Sequence, residues 1–150
     1  MKITKSKINK FLLFKLPSAY LCGIRLKEIH DNESVVTVKH RWINQNPFKS
    51  MYFAVQSMAA ELTTGVLLIK QIQDSGRKVS MLVISHSGSF SKKAVGRITF
   101  KCNDGEKINK ALEETLKTGD GQTVLMNSVG IDEQGDVVST YQFEWSIKAK

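Results

Sequence analysis

Cysteine and proline are both scarce, with two of each in the 150-residue chain. Cys22 and Cys102 fit no metal-ligand spacing, and one pair in a chain of this length is no disulfide framework. The default setting is therefore reducing and cytoplasmic. No apolar run is long enough to span a bilayer. The least charged stretch, Met51 to Ile69, is interrupted by Gln56, Ser57, Glu61, Thr63 and Thr64, which suits a helix inside a protein core. Lysines followed by Phe11-Leu12-Leu13-Phe14 have the look of a leader, but Lys15 and Pro17 break the run and no small-residue cleavage site follows. This segment reads as part of the domain. There is no nucleophile-elbow serine, no phosphate-cradling glycine loop and no metal-binding cluster. Nor is there an interleaved aromatic and basic sheet signature or a zinc finger, so no nucleic-acid partner is expected.

What is present is the composition of one folded domain over residues 1–150, 41% hydrophobic and 24% charged. Net charge is +8 and uneven, with 16 basic and 5 acidic groups in residues 1–100 against 6 and 9 in the remainder. A positive half attracts an anionic partner, and nucleic acid, anionic lipid and a nucleotide-bearing cofactor all carry that charge.

Periodicity divides the chain. Ile8, Phe11, Leu12 and Leu16 recur at helical spacing until Pro17. Gly23–His30 and Ser34–Trp42 read as a hairpin, the second strand half-buried, with Val36 and Val38 on one face. A loop with Asn46 and Pro47 ends at Ser50, a good N-cap for a helix from Met51 to about Gln73. That helix is apolar nearly all round, so other structure must wrap it. Lys78–Phe90 and Ala94–Cys102 read as strands joined by Ser91-Lys92-Lys93. A short helix capped by Asp104 and ended by Gly119 follows, then a hairpin of Gln122–Ile131 and Asp136–Lys148. An antiparallel sheet wrapping one long helix buries this pattern, an α+β architecture.

Glu61 is the only acid or base between Met51 and Ile69. A carboxylate taken from water must find a partner, protonate, or face a cleft. Its helical neighbours Ala54, Ser57 and Gly65 are small and leave room beside it. Two readings stand: a general base or nucleophile in a groove, or a structural acid paired with a lysine or arginine. Asn46 either turns the loop or orients a substrate carbonyl or water. The N–H groups of Tyr52, Phe53 and Ala54, at the positive end of the helix, form a candidate oxyanion element. Lys92, Lys93, Arg97 and Lys101 form a solvated face on which an anionic nucleotide would rest.

This order of elements, with Asn46, Glu61 and Gly65, resembles the hotdog-fold acyl-CoA thioesterases, nearest the phenylacetate-pathway type. The family places a His-Gly-Gly-like segment at the start of its central helix, where this chain has Tyr52-Phe53-Ala54. Ser89 to Gly96 resembles the junction between the family's third and fourth strands. The resemblance implies a sheet of about five to six strands around the helix, and hydrolysis of an acyl thioester without metal or bound cofactor. It gives Glu61 and Asn46 catalytic places, and Tyr52, Phe53, Ala54, Ser57 and Gly65 substrate-binding ones. Coenzyme A phosphates would meet Lys92, Lys93 and Arg97, and the site would lie across a homodimer or dimer of dimers. The absent His-Gly-Gly leaves a second reading, a non-catalytic hotdog protein that binds an acyl chain or acyl-CoA.

Overall fold

The computed structural model describes residues 2–150 and divides the N-terminal helical pattern at Pro17. Helix α1 (Lys5–Lys15) opens on Thr4, whose Oγ1 accepts from the Lys7 N–H at 3.3 Å. Proline lacks an N–H but its fixed φ suits a first turn, so Pro17 closes α1 and begins α2 (Pro17–Leu21). Ile8 and Leu12 form the buried face of α1. Phe11 and Leu16, expected on that face, are exposed instead, because Phe11 sits about 100° round the helix from Leu12 and Leu16 lies beyond the last turn.

Strands β1 (Arg25–Ile29) and β2 (Ser34–Lys39) form the expected hairpin. The second ends short of Trp42, because Trp42–Asn44 winds into a 3-10 turn held by the Arg41 N–H on Asn44 Oδ1 at 2.8 Å. Val35 and Thr37 are buried as well as Val36 and Val38, so β2 is covered on both faces rather than half-buried.

The long helix α3 runs from Phe53 to Asp74. It begins later than Ser50 suggested, because Met51 is held extended, bridged to Gln45 and donating its N–H to the Ala94 carbonyl at 2.8 Å. Strands β3 (Val79–Phe90) and β4 (Arg97–Cys102) follow, then α4 (Gly105–Thr118), β5 (Gln122–Ile131) and β6 (Val137–Ala149). The six strands form one antiparallel sheet in the order β1-β2-β4-β5-β6-β3. Strands β3 and β4, successive in sequence, are therefore not neighbours. The twelve residues of β3 match β6 along their whole length, Val79 opposite Ala149 and Phe90 opposite Ser139, which six-residue β4 could not offer.

The sheet packs on α3, burying Val55, Ala59, Ala60, Leu62, Val66, Leu67 and Leu68. Side-chain bonds fix the helix against the strands: Thr63 donates to Ser128 at 2.8 Å, Ser139 to Gln56 at 2.8 Å, and the Trp145 indole to Thr64 at 2.9 Å. Each contributes about 1 kcal/mol net, and more is lost if one buried partner is orphaned. The two sheet edges differ. On β1, the Asn9 amide donates to the Leu26 carbonyl at 3.1 Å and accepts its N–H at 2.9 Å, imitating a further strand. The outer edge of β3 has no partner among the described residues and exposes Leu82 and Ile84.

Candidate functional site

Helix α3 begins without a capping side chain. The Tyr52 N–H already donates to the Asn44 carbonyl at 2.9 Å, so Tyr52 supplies no free amide to an oxyanion element. Tyr52 O in turn accepts from Val55 and Gln56. The N–H groups of Phe53 and Ala54 remain without an acceptor among the described residues, two parallel donors at the positive end of a 22-residue helix.

Asn46 organises the loop before them. Its Oδ1 accepts from the N–H groups of Phe48 at 2.9 Å and Ser50 at 3.2 Å, while Nδ2 donates to Ser50 Oγ at 3.0 Å. The amide is thus fully engaged within the loop. Around the helix start lies a groove of about 460 Å³, walled by Phe48, Met51, Tyr52, Phe53 and Phe90, with Asn46 and Gln56 in its lining and Lys92 and Lys93 on its rim. Phe53 meets Tyr52 and Phe90 edge-on, with centroids 5.0 and 6.3 Å away.

Two turns along α3, Glu61 is half-buried and belongs to none of the ion pairs among the described residues. Burial alone pushes its carboxyl above the ordinary range, with no compensating cation. The carboxylate leans toward Gly65: a methyl at that glycine would stand 3.2 Å from Glu61 Oε1 and 3.4 Å from the Trp145 ring. Glycine keeps this contact open. Nearer the helix start, Ser57 Oγ lies 3.0 Å from the Tyr141 hydroxyl and 3.2 Å from the Phe53 carbonyl.

The expected site residues therefore fall into two groups within one chain. Asn46, Tyr52, Phe53, Lys92 and Lys93 line the groove, while Ser57, Glu61 and Gly65 lie outside its lining. Lys92 is neutralised by Asp132 at 2.6 Å and Asp136 at 2.7 Å. Arg97 starts β4, its N–H donating to Glu133 Oε1 at 2.7 Å, and its exposed side chain has no ion pair among the described residues. Sequence reasoning missed Gln56, Phe48, Phe90, Tyr141 and Trp145. Gln56 carried a signal, since an amide in an apolar helix must face a partner or a cavity, and it does both. The others are aromatics whose neighbours depend on strand order. Both cysteines are free, and burial pushes the Cys102 thiol up to about 12.

Residues 4–147 match the family model described as Domain of unknown function (DUF4442). The chain belongs to the DUF4442 family. Among curated proteins none matches it. Solved structures resemble this DUF4442 protein over nearly the whole chain. A Pseudomonas aeruginosa protein described as a probable thioesterase has a TM-score of 0.85 at 22% identity, with 100% of this chain and 99% of that one covered. A protein of unknown function from Chlorobaculum tepidum has 0.83 at 13% identity, covering 97% and 94%. A thioesterase from Haemophilus influenzae has 0.76 at 11% identity, covering 99% and 93%. Together with the antiparallel sheet packed on α3, these likenesses establish the hotdog fold.

Proposed function

We propose that this DUF4442 protein is a homodimeric thioesterase that hydrolyses an acyl thioester, with acyl-coenzyme A as the substrate class. The observation that carries the reading is the solitary Glu61 carboxylate, half-buried, unpaired and raised in pKa beside Gly65 and Trp145. The descriptions of similarly folded proteins as thioesterases support it. Glu61 either takes a proton from water, whose hydroxide adds to the thioester carbonyl, or attacks that carbon itself to form an acyl anhydride that water then hydrolyses, freeing the carboxylate. The Phe53 and Ala54 N–H groups receive the developing oxyanion, and the thiolate leaves as the carbon–sulfur bond breaks. Asn46 acts by holding the loop that aims those amides. A carboxylate, water and two donors suffice, so no metal or bound cofactor is required.

The distance along α3 favours a site shared between two copies. Glu61 lies seven and eight residues beyond the two amides, about 11 Å along the axis at ~1.5 Å per residue. The reacting carbon must sit within about 3.5 Å of the attacking atom and its oxygen about 3 Å from the donors. One copy's Glu61 therefore works with another copy's helix start, as a two-fold axis perpendicular to α3 allows by setting the two helices antiparallel. The open edge of β3 supplies the pairing surface. Lys93 and Arg97, free of ion pairs, are the residues offered to coenzyme A phosphates.

The side chains of Phe53 and Ala54 favour a second reading, a hotdog protein that binds an acyl chain or acyl-CoA without turnover. A thiol-release assay over short, long and aromatic acyl-CoAs separates the two. Glu61→Gln should cut turnover by about 10²–10⁴-fold with little change in binding. Saturable binding by the native protein with no thiol released defeats the thioesterase.

A further inference from the structure

Ordinary surface helices keep their apolar residues on one side, as α4 does with Ile108 and Leu112 buried and Glu106, Lys110 and Glu113 exposed. Helix α1 departs from that rule. Ile8 and Leu12 already provide its inward face, yet Phe11, Leu13 and Phe14 are exposed at 44%, 41% and 75%. Leu16 and, at the end of α2, Leu21 are exposed as well, at 40% and 64%. There Asn44 Nδ2 donates to the Cys22 carbonyl at 2.9 Å and tethers the turn that carries Trp42, which is 84% exposed, and Ile43.

Cations surround these side chains. Residues 1–27 contain seven basic groups and no acidic one. Lys5, Lys7, Lys10, Lys15 and Arg25 enter none of the ion pairs among the described residues. A shallow depression of about 550 Å³ is bordered by Lys5, Lys10, Asn9, Leu13, Tyr20 and Arg25. Arg25 stacks over the Tyr20 ring at 3.5 Å with its Nη1 on two carbonyls, so the guanidinium is fixed without being neutralised.

We propose that the α1–α2 face and the adjoining Trp42 turn dock this protein peripherally on an anionic lipid bilayer. Phe14, Leu21 and Trp42 enter the headgroup boundary, the lysines reach outward to lipid phosphates, and the Lys5–Lys10–Arg25 depression receives a headgroup. No helix among the described residues is long and apolar enough to cross a membrane, so the contact is superficial. A bilayer fits better than a second copy, because a two-fold contact through this face would set its lysines against themselves. It fits better than a nucleic acid, which offers nothing to the exposed leucines. The docking does not depend on the chemistry of Glu61.

Co-sedimentation with vesicles tests it, comparing phosphatidylcholine alone with phosphatidylcholine mixed with phosphatidylglycerol at low and high salt. The native chain should partition onto the mixed vesicles and be released by salt. Lys7→Gln and Lys10→Gln should each weaken that binding by about fivefold. Phe14→Ser and Trp42→Ser should weaken it severalfold while circular dichroism and melting stay native, since neither side chain enters the core. Indifference to phosphatidylglycerol overturns the proposal, as does binding that survives both serine substitutions. A change in sedimentation coefficient on Phe14→Ser without lipid assigns the face to self-association, and preference for a single-stranded oligonucleotide over vesicles assigns it to nucleic acid. Either result overturns it too.

Discussion

The Glu61 carboxylate fills the space that a side chain at Gly65 would need, and substitutions at the two should both hold or raise stability while lowering turnover. Because burial raises the Glu61 carboxyl, the native state holds its proton more tightly than the unfolded chain does. The stability this group contributes is present below the unfolded carboxylate range and is lost as pH rises through the folded value. Glu61→Gln should therefore raise Tm at neutral pH, by on the order of 2–4 °C, while cutting turnover by about 10²–10⁴-fold. Melting curves from neutral to acid pH check this, and the gain should vanish below about pH 4. The acid limb of native kcat/KM should correspondingly fall above the ordinary carboxylate range. Gly65→Ala gains helix propensity of up to about 1 kcal/mol but sets a methyl 3.2 Å from the carboxylate oxygen. Unchanged or higher Tm with reduced turnover is expected. Glu61 was legible in the sequence because a lone acid in an apolar stretch is conspicuous without a structure. The Trp145 ring beside Gly65 was not, since 80 residues separate the two and only the β6–α3 packing joins them.

At the scale of elements, local chemistry carried most of the reading. Pro17 and Gly119 mark real boundaries, and Gly119 adopts the left-handed φ of 76° that a helix end favours. Asp104 stands at the start of α4, but its carboxylate accepts from the Asn127 N–H at 2.6 Å instead of capping the helix's own N–H groups. The β5–β6 hairpin follows from alternation and a short turn. The placement of β3 beside β6, and the late start of α3, depend on partners far along the chain and leave no local mark. Gly105 is another long-range constraint that spacing does not announce. Its Cα faces the β1–β2 turn so closely that a Cβ would lie 2.3 Å from the Asn32 Cα and 2.7 Å from the Asp31 carbonyl oxygen. Those are backbone atoms with no rotamer to yield. Gly105→Ala should destabilise the protein by about 1–3 kcal/mol, read as a lower urea midpoint at unchanged m.

For the whole molecule, the two sheet edges differ, one closed by Asn9 and the other open along β3. If two β3 strands pair and each site combines Glu61 of one copy with the Phe53 and Ala54 amides of the other, the two halves of the site can be inactivated on different chains. Phe53→Pro removes one amide at the first helical position, where proline is tolerated and no helical bond is lost. Glu61→Gln removes the carboxylate. Each variant alone should be inactive. Co-expressed in equal amounts, half of the dimers should be mixed and carry one intact site of two, restoring about a quarter of native turnover. A site contained within one copy would give no recovery, because every chain then carries a lesion. Leu82→Lys on the open strand supplies the matching control. Like charges across the new sheet should lower the sedimentation coefficient to that of a monomer and remove turnover with it, although Glu61 and both amides are untouched.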